Sequence, residues 1–468
     1  MFKVRQIVLL VLFLAQGIFE SLKESTDFTQ LEERVHNLTQ NAAGMLLSLA
    51  LEEIDRRLLA QKDKCLKVVG QRERVLVTSV GEVKIKRRLY RDESGDYIFL
   101  LDRALGLEPR RRISKRMWQL ALELATEMPF RRAAKVLGYL APSVSSMGVW
   151  SVVKAAGEEA CAEAVKLKED VFEHGRLPEG QKVTSNLFIE GDEVCIKRQS
   201  GKGKSLGVKL VVGYEGKKGI RKRLENRHSV AGVTDGEGIW EEAICVFGQK
   251  WLMSEVTKVR IGGDGANWVK KGADYFPAAS YHLDPFHLRK RLTEALSSTQ
   301  AYEAVTEGIA RLDSNAVIEA LDQAAAPLRG ARKKRVKDLK KYLLDNWAGI
   351  AQLPEEERLG AIEGQVRHTI ARRMKRIGAR WSVEGADRMS RLLAARANDE
   401  LHRYIGQSKS IVSQLLNFDT PVEKKFVCGK EDLESWVRAS MPALRGPFAG
   451  RPWVKYVLKE IGSMQWPA

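Results

Sequence analysis

Two acidic residues lie on or directly after predicted strands, where their carboxylates could meet and hold a metal ion. Asp192 lies in "NLFIEGDEVCIKRQ" and Asp264 follows the apolar run of "VTKVRIGGDG". Carboxylate oxygens are ligands that hard divalent cations prefer. Two Mg²⁺ ions about 4 Å apart can activate the attacking oxygen and stabilise the leaving oxygen in a phosphoryl displacement. An Asp in a Gly-rich turn is more often structural, so the order strand–Asp, strand–Asp–Gly, helix–Glu carries the hypothesis, not one residue.

The patterns around these acids predict strands that alternate with helices. Strands are expected at "NLFIEGDEVCIKRQ", "LGVKLVVGYEG", "RHSVAGVTDG", "VTKVRIGGDG" and "AASYHLD", with helices at "IWEEAICVFGQKWL" and "ANWVKKG". Such an order indicates a mixed sheet covered by helices, in which the first strand can lie beside the fourth. Asp192 and Asp264 would then meet at the strand ends, and an acid on a later helix could complete the cluster. Residues 285–353 are predicted to be helical, and "GAIEGQVRHTIARRMKRIG" forms a further helix.

The region before this sheet is predicted to hold helices and a small meander. Leucines and valines at spacings of three and four predict an amphipathic helix over residues 28–61. "ERVLVTSVGEVKIKRRLY" and "RDESGDYIFLLD" predict a three-stranded antiparallel meander. Within a helical stretch over residues 113–168, "PFRRAAKVLGYLAPSVSSMGVWSVV" has the outline of a helix-turn-helix. DNA binding through the helix that starts at Ser145 and simple helix packing fit this outline equally well.

The charge balance indicates a polyanionic partner. The chain of 468 residues has 78 Lys and Arg against 60 Asp and Glu, a formal charge of +18. Such an excess favours nucleic acid or an acidic membrane surface. Basic runs cover residues 197–204, 217–223, 332–341 and 367–376. The residues expected to contact DNA are Lys197, Arg198, Lys202, Lys204, Arg289, Lys290, Arg367, Arg372 and Arg373. Trp268 and Trp381 could stack on bases, but core positions are the stronger expectation for both.

The cysteines and the N-terminus bear on the compartment. The five cysteines are scattered with no CxxC, which indicates neither a zinc ribbon nor a disulfide framework and fits a reducing cytosol. "MFKVRQIVLLVLFLAQGIF" is similar to the first part of a signal peptide. Its apolar run is short for a membrane span, and no A-x-A site follows. We therefore favour a buried or dimer-forming helix and a cytoplasmic protein associated with the nucleoid.

Longer stretches resemble one known family. They are "TSVGEVKIKRRLY", "YIFLLDRALGL", "LFIEGDEVCI", "IGGDGANWVKKG", "YHLDPFHLRKRL" and "EGQVRHTIARRMKRIGARWSVEGADRMSRLLAARAN", spread over residues 78–398. They resemble the bacterial insertion-sequence transposases of the ISLre type, long catalogued as an uncharacterised protein family and related to the Mutator-like DDE transposases. The last three stretches are the most specific.

The resemblance implies an RNase H-like catalytic domain with a helical insertion before its final acid. It implies that Asp192, Asp264 and Glu363 are the metal ligands. The 98 residues between Asp264 and Glu363 exceed one connection, which agrees with an inserted helical domain. Asp284 and His287 match the Asp/Cys-x-x-His motif of Mutator-like enzymes. Their expected role is to orient ligands or grip a DNA strand, and a direct metal contact is the weaker expectation. A strand-end His and a helix-capping Asp are the structural alternative.

Two other acids compete for these assignments. Glu190 shares a strand face with Asp192 and could be mistaken for the first ligand. Glu384, in "WSVEG", is the alternative to Glu363 as the third acid.

The predicted protein is an α/β DDE-type transposase with seven regions. We expect an N-terminal helical region over 1–70, a β-meander over 71–104, a helix-turn-helix-like region over 105–180, an RNase H-like core over 181–290 and 358–400, a helical insertion over 291–357 and a C-terminal helical region over 401–468. Expected partners are double-stranded DNA, as element ends and target, and further copies of the chain. Two Mg²⁺ ions, replaceable by Mn²⁺, are the expected cofactors, with no small-molecule cofactor. A nuclease that cuts without joining and an inactive, transposase-derived DNA-binding protein are the alternatives.

Overall fold

The computed structural model describes residues 4–109, 111–176, 178–201, 203–220, 222–297, 300–350, 359–375 and 378–405. These residues form two compact units, one of residues 4–155 with 402–405 and the other of residues 156–401. Most of the predicted C-terminal region over 401–468, and the end of the predicted insertion, lie outside the described residues. The secondary structure is mixed α/β, as the sequence patterns predict.

The first unit contains a helical hairpin and a small antiparallel sheet. Its helices are α1 (Val4–Glu24), α2 (Phe28–Gln61), α3 (Leu100–Leu105), α4 (Lys115–Glu127) and α5 (Phe130–Gly138), and α6 (Ser146–Phe172) continues into the second unit. The sheet has the order β1 (Lys67–Thr78), β2 (Gly81–Arg91), β3 (Tyr97–Ile98). Leu51 of α2 packs with Leu76, Val83 and Ile85 of the sheet. The predicted meander and the predicted helix over residues 28–61 are therefore confirmed.

The apolar N-terminus forms α1, which packs along α2. Among the helices of the described residues, none combines the length and the apolar character that a membrane span requires. Side chains such as Phe19 and Leu22 remain exposed.

The predicted helix-turn-helix segment contains α5, a connection over residues 139–145, and α6. The Ser145 hydroxyl accepts a hydrogen bond from the Gly148 N–H at 3.0 Å, so Ser145 caps α6 as its sequence indicated. Val149 and Val152 of α6 are fully buried. DNA binding through α6 stays a prediction.

The second unit is built on a five-stranded mixed sheet. Its strands are β4 (Asn186–Lys197), β5 (Ser205–Tyr214), β8 (His228–Gly232), β9 (Lys258–Gly263) and β10 (Ala279–Leu283), in the order β10-β9-β4-β5-β8. β5 runs antiparallel to β4 and β8, whereas β9 runs parallel to β4 and β10. A short hairpin of β6 (Gly216–Lys218) and β7 (Arg223–Glu225) follows β5. Among the strands of the five-stranded sheet, the first in chain order, β4, therefore lies beside the fourth, β9. The order of strands and helices predicted from the sequence allows this placement.

The helix α7 (Gly236–Lys250) covers one face of this sheet and builds its core. Phe247 of α7 is fully buried with Ile189 of β4 and Ile261 of β9. Burial of each such side chain stabilises the fold by about 1.5–3 kcal/mol. The helix α8 (Asn267–Lys270) follows β9, and α15 (Val383–Ala397) packs against β8.

A helical group with its own core separates β10 from the last helices. It consists of α9 (Pro285–Leu296), α10 (Gln300–Ala310), α11 (Ser314–Ala325) and α12 (Gly330–Asp345). Leu292, Val305, Val317 and Leu339 are buried together at its centre. A second helical segment then runs through α13 (Ile362–Val366), a π-helical turn (Arg367–Ala371) and α14 (Arg372–Met374).

The buried His228 predicts an acid-sensitive contribution to stability. Burial, together with the charges of Lys250 and Arg227, lowers the pKa of His228 to about 4, although the Glu400 carboxylate lies 3.9 Å from the ring. The unfolded imidazole titrates near 6.5, so the unfolded state binds more protons between these values. The free energy of unfolding should therefore fall as the pH drops from about 6.5 to about 4, by on the order of 3 kcal/mol.

Chemical denaturation at a series of pH values measures this pH dependence of the free energy of unfolding. We expect the profile of His228→Gln to be flatter than that of the wild type across this window, because the glutamine cannot gain a proton. Parallel profiles would contradict the assignment.

Candidate metal centre

The five-stranded sheet brings Asp192 and Asp264 together because β4 extends beyond the end of its neighbour β9. β9 pairs with β4 up to Gly263, which lies opposite Gly191. Asp192 is thus the first β4 residue beyond that pairing, and Asp264 directly follows β9. A Cβ atom at Gly263 would lie 2.6 Å from Val269 Cγ1 and 2.9 Å from the Gly191 carbonyl oxygen. Glycine is therefore needed at Gly263 for the end of β9 to lie this close to β4 and to Val269.

Asp192, His287 and Glu363 form a group that could hold a metal ion. Each offers one ligand atom, and these atoms all lie within 4.8 Å of one another. Asp192 comes from β4, His287 from the first turn of α9, and Glu363 from the first turn of α13. Two carboxylates and one imidazole form a donor set in which the oxygens suit Mg²⁺ and Mn²⁺ and the imidazole suits transition metals. The residues present therefore fit a divalent cation.

Asp264 lies beside this group. Its Oδ1 accepts a hydrogen bond from the Ala266 N–H at 2.9 Å, which makes it the turn-forming residue of the loop after β9. Its charge also acts on the group, since it helps to raise the pKa of both Asp192 and His287. A structural role in the turn and a place beside a metal site are thus compatible for this residue.

The carboxylates of the centre repel one another. The pKa of Asp192 is raised to about 6, chiefly by burial, and the nearby charges of Asp264 and Glu363 act in the same direction. The Glu193 N–H, 2.7 Å from Asp192 Oδ1, and His287 act in the opposite direction. Like charges in a partly buried site disfavour full ionisation. A bound cation would relieve this repulsion, because it would be the largest local charge.

His287 is held in the group by a buried acid. Its Nδ1 lies 2.7 Å from Asp284 Oδ2, and Asp284 is fully buried. The hydrogen bond to Asp284 raises the pKa of His287, against the effect of burial. With Nδ1 engaged, Nε2 is the ring nitrogen left for a metal. A carboxylate behind a histidine is a common way to orient a metal-binding imidazole.

Asp284 also has the capping role that the sequence offered as an alternative. It accepts the Phe286 N–H at 3.0 Å as the N-cap of α9, and its own N–H donates to the Gly263 carbonyl at 2.8 Å. Asp284 therefore has the geometry expected of a residue that orients a ligand. His287 differs from that expectation, because it lies in the metal-binding group itself.

The helical group contacts the Asp264 loop. The Tyr342 hydroxyl of α12 donates to the Asp264 carbonyl at 2.8 Å, and the Arg291 guanidinium lies 4.2 Å from the centre of the Tyr342 ring. Lys270 donates to the Asp345 carbonyl at 2.8 Å. Tyr342 could not be found from the sequence, because no local pattern indicates that a tyrosine in a charged helix reaches a distant loop.

Glu190, which competed with Asp192 as the first ligand, has a structural position that the sequence did not indicate. Glu190 is fully buried, and its side chain does not join the group although it shares a strand face with Asp192. The available signal was a single acid inside the apolar run "NLFIEG". Glu384 lies exposed in the first turn of α15, which begins after the N-cap Ser382.

The basic residues expected to contact DNA divide by exposure. The exposed ones are Lys197, Lys204, Arg289, Lys290, Arg367 and Arg372. Arg198 is partly buried, and Lys202 lies outside the described residues. Arg373 differs from the expectation, because it is buried with its Cζ 5.2 Å from the centre of the Trp381 ring, and burial lowers its pKa to about 10. A side chain in this position does not face a DNA backbone at the surface.

The two tryptophans considered for base stacking belong to the core. Trp381 is buried. Trp268 is partly buried against the core of the sheet, and its carbonyl accepts a hydrogen bond from the Trp240 indole at 2.7 Å.

Comparison with known proteins gives relatives over most of the chain. The UPF0236 protein TTE2489 of Caldanaerobacter subterraneus subsp. tengcongensis is 28% identical over 385 residues, 79% of either chain. A protein of the same organism, whose name joins eleven designations from TTE0033 to TTE2212, is 27% identical over 391 residues, 80% of this chain and 79% of the relative. The UPF0236 protein in the vanSb 3′ region of Streptococcus gallolyticus is 27% identical over 402 residues, 83% of this chain and 87% of the relative.

The family model described as "Uncharacterised protein family (UPF0236)" matches residues 21–409, a span that includes the sheet, the helical group and every residue of the metal centre. The chain belongs to the UPF0236 family.

Proposed function

We propose that the protein is a DDE-type DNA transposase that hydrolyses phosphodiester bonds at the ends of an insertion sequence and joins the resulting 3′-OH to target DNA. The observation that carries the proposal is the group of Asp192, His287 and Glu363 with Asp264 beside it. A mixed sheet whose first strand lies beside its fourth, followed by a helical group before Glu363, supports an RNase H-like core.

In this mechanism the chain's own residues hold and orient the reacting groups. Asp192, Asp264, Glu363 and His287 would hold divalent cations, which supply Lewis-acid stabilisation and activate the attacking oxygen. Asp284 keeps the His287 ring in one orientation. Exposed cations around the centre would bind the DNA backbone. An in-line displacement needs no covalent protein–DNA intermediate, so no nucleophilic side chain is assigned.

The names of the relatives favour transposition over the alternatives. One name joins eleven designations within one organism, which is the pattern expected of a gene present in many copies. A mobile element multiplies in this way, whereas a nuclease that only cuts does not. The formal charge of +18 supports DNA as the substrate. The presence of every proposed ligand argues against an inactive DNA-binding derivative. We further propose that several copies act together to bridge two DNA ends in the cytoplasm.

Replacing the proposed ligands should abolish the reaction but not DNA binding. Purified protein would be incubated with a labelled element end and a target plasmid, with Mg²⁺ or Mn²⁺. Asp192→Asn, Asp264→Asn and Glu363→Gln should each lower the cleavage rate by about a hundredfold or more, because several kcal/mol of charge stabilisation are lost.

Glu384→Gln is the matched control, since this exposed acid was the competing choice for the third ligand, and it should cleave and join like the wild type. Activity that survives in Glu363→Gln and is lost in Glu384→Gln would instead identify Glu384 as the third ligand. Wild-type cleavage without joined products would support the nuclease.

Asp284 should matter for metal affinity through His287. Asp284→Asn keeps an acceptor for the α9 cap but removes the charge behind the imidazole. We expect Mn²⁺ affinity, measured by titration calorimetry, to fall about 10- to 100-fold. Asp235→Asn makes the same change at the N-cap of α7, where Asp235 accepts the Gly238 N–H at 2.7 Å, and should leave affinity unchanged. Equal Mn²⁺ affinity in Asp284→Asn and wild type would refute the orienting role.

Exposed cations beside His287 should contribute to the salt dependence of DNA binding. Log affinity falls with log salt concentration, and Arg289→Ala and Lys290→Ala should each make this negative slope less steep by about 0.9 if each side chain contacts one phosphate. Lys64→Ala removes one charge from an exposed position in the connection after α2, outside every region predicted to bind DNA, and serves as the control. Identical slopes in all three variants and the wild type would exclude these contacts.

A further inference from the structure

A fully buried carboxylate joins the centre of the sheet to the segment that carries Glu363. Glu190 lies in β4 between Val212 of β5 and Gly262 of β9. A buried carboxylate is costly unless hydrogen bonds replace its lost hydration. The groups that satisfy it therefore identify what its presence stabilises.

Four donors surround the Glu190 carboxylate. The Tyr214 hydroxyl donates to Oε1 at 2.5 Å, and the Gly360 N–H donates to Oε2 at 2.8 Å. The Ala361 N–H lies 3.0 Å from Oε1 and 2.9 Å from Oε2, and the Ile362 N–H donates to Oε2 at 3.2 Å. Both carboxylate oxygens are thus used within the protein, so Glu190 is not placed to act as a metal ligand.

Three of these donors are the backbone groups at the start of the helical segment that carries Glu363. The first N–H groups of a helix have no partner within it, and negative charge at this end is favourable. Glu190 supplies an acceptor and the charge from a distant strand. Glu363 is the residue directly after the last of the three N–H groups, so its backbone position is set by this contact.

The absence of a side chain at Gly262 of β9 leaves room for the Glu190 side chain and for Leu359. A Cβ atom at Gly262 would lie 3.3 Å from Glu190 Cγ and 2.8 Å from Leu359 Cδ1. A larger residue at this position would therefore press on the glutamate and on the chain just before the helical segment.

We propose that Glu190 is a positioning residue that holds Glu363 in the metal-binding group by anchoring the backbone of Gly360, Ala361 and Ile362. The statement about the metal rests on the proposed function, whereas the anchoring itself does not. Asp192 and Glu190 thus lie two residues apart on one strand with different tasks, the first in the group and the second behind it.

The test combines Mn²⁺ affinity with hydrogen–deuterium exchange of the full chain. Glu190→Gln keeps the shape of the side chain but turns one acceptor into an NH₂ donor that faces backbone donors. We expect Mn²⁺ affinity to fall about 10- to 100-fold and exchange in residues 360–374 to become faster. Glu190→Asp retains the charge and should recover part of both properties.

Val211→Ala is the matched control, because Val211 lies on the opposite face of β5 from the carboxylate, in the core formed with α7. It should lower the unfolding temperature and leave Mn²⁺ affinity and exchange in residues 360–374 near wild-type values. Tyr214→Phe removes one of the four donors and should have a smaller effect than Glu190→Gln.

The outcomes separate this inference from the proposed function. Wild-type Mn²⁺ affinity in a folded Glu190→Gln protein would overturn the positioning role and leave the transposase proposal standing. Equal losses of affinity in Val211→Ala and Glu190→Gln would also overturn it, since general destabilisation would explain both. A wild-type protein that neither binds Mn²⁺ nor cleaves DNA would refute the proposed function and the metal-positioning role together, and faster exchange in Glu190→Gln would then support backbone anchoring alone.

Discussion

The hydrogen bonds to the buried Glu190 carboxylate are the interaction on which the arrangement of the centre depends. β4 supplies Asp192, and the start of the last helical segment supplies Glu363 from far along the chain. Glu190 ties these two parts together through backbone N–H groups. Because the glutamate is removed from water, these bonds act in a low-dielectric environment, and loss of a partner would leave a buried group unsatisfied. The contact therefore stabilises the fold only when all of its hydrogen bonds are formed.

The remaining members of the centre are held from behind in comparable ways. Asp284 bonds to the His287 ring and to the backbone of β9, and Tyr342 of the helical group bonds to the Asp264 carbonyl. In each case a buried or partly buried polar group fixes the element that presents the side chain. Precise placement of this kind is what a metal site requires, since coordination tolerates little error in distance.

The hydrogen bonds that hold the centre act against electrostatic repulsion among its carboxylates. Three carboxylates converge, and the raised pKa of Asp192 records the burial and the repulsion that result. Folding brings like charges together, and divalent cations would convert the same arrangement into a favourable one. The exposed basic side chains act at longer range. In the proposed function they would attract DNA without determining the geometry of the centre.

The sequence by itself determined the secondary structure and the meander, because periodicity and turn residues act locally. Its order of strands and helices indicated that β4 can lie beside β9, and the 98 residues between Asp264 and Glu363 agreed with the helical insertion that the family resemblance implies. The sequence also indicated that Asp192 and Asp264 could meet, and the structure places Asp264 after the end of β9 and Asp192 within β4. Only the tertiary structure decided that His287 lies in the metal-binding group with Asp284 behind it, that Arg373 points into the core, and that Glu190 anchors a distant helix. Strand periodicity assigns a side chain to a face, but its partner on that face comes from a segment about 170 residues away, and nothing local encodes that contact.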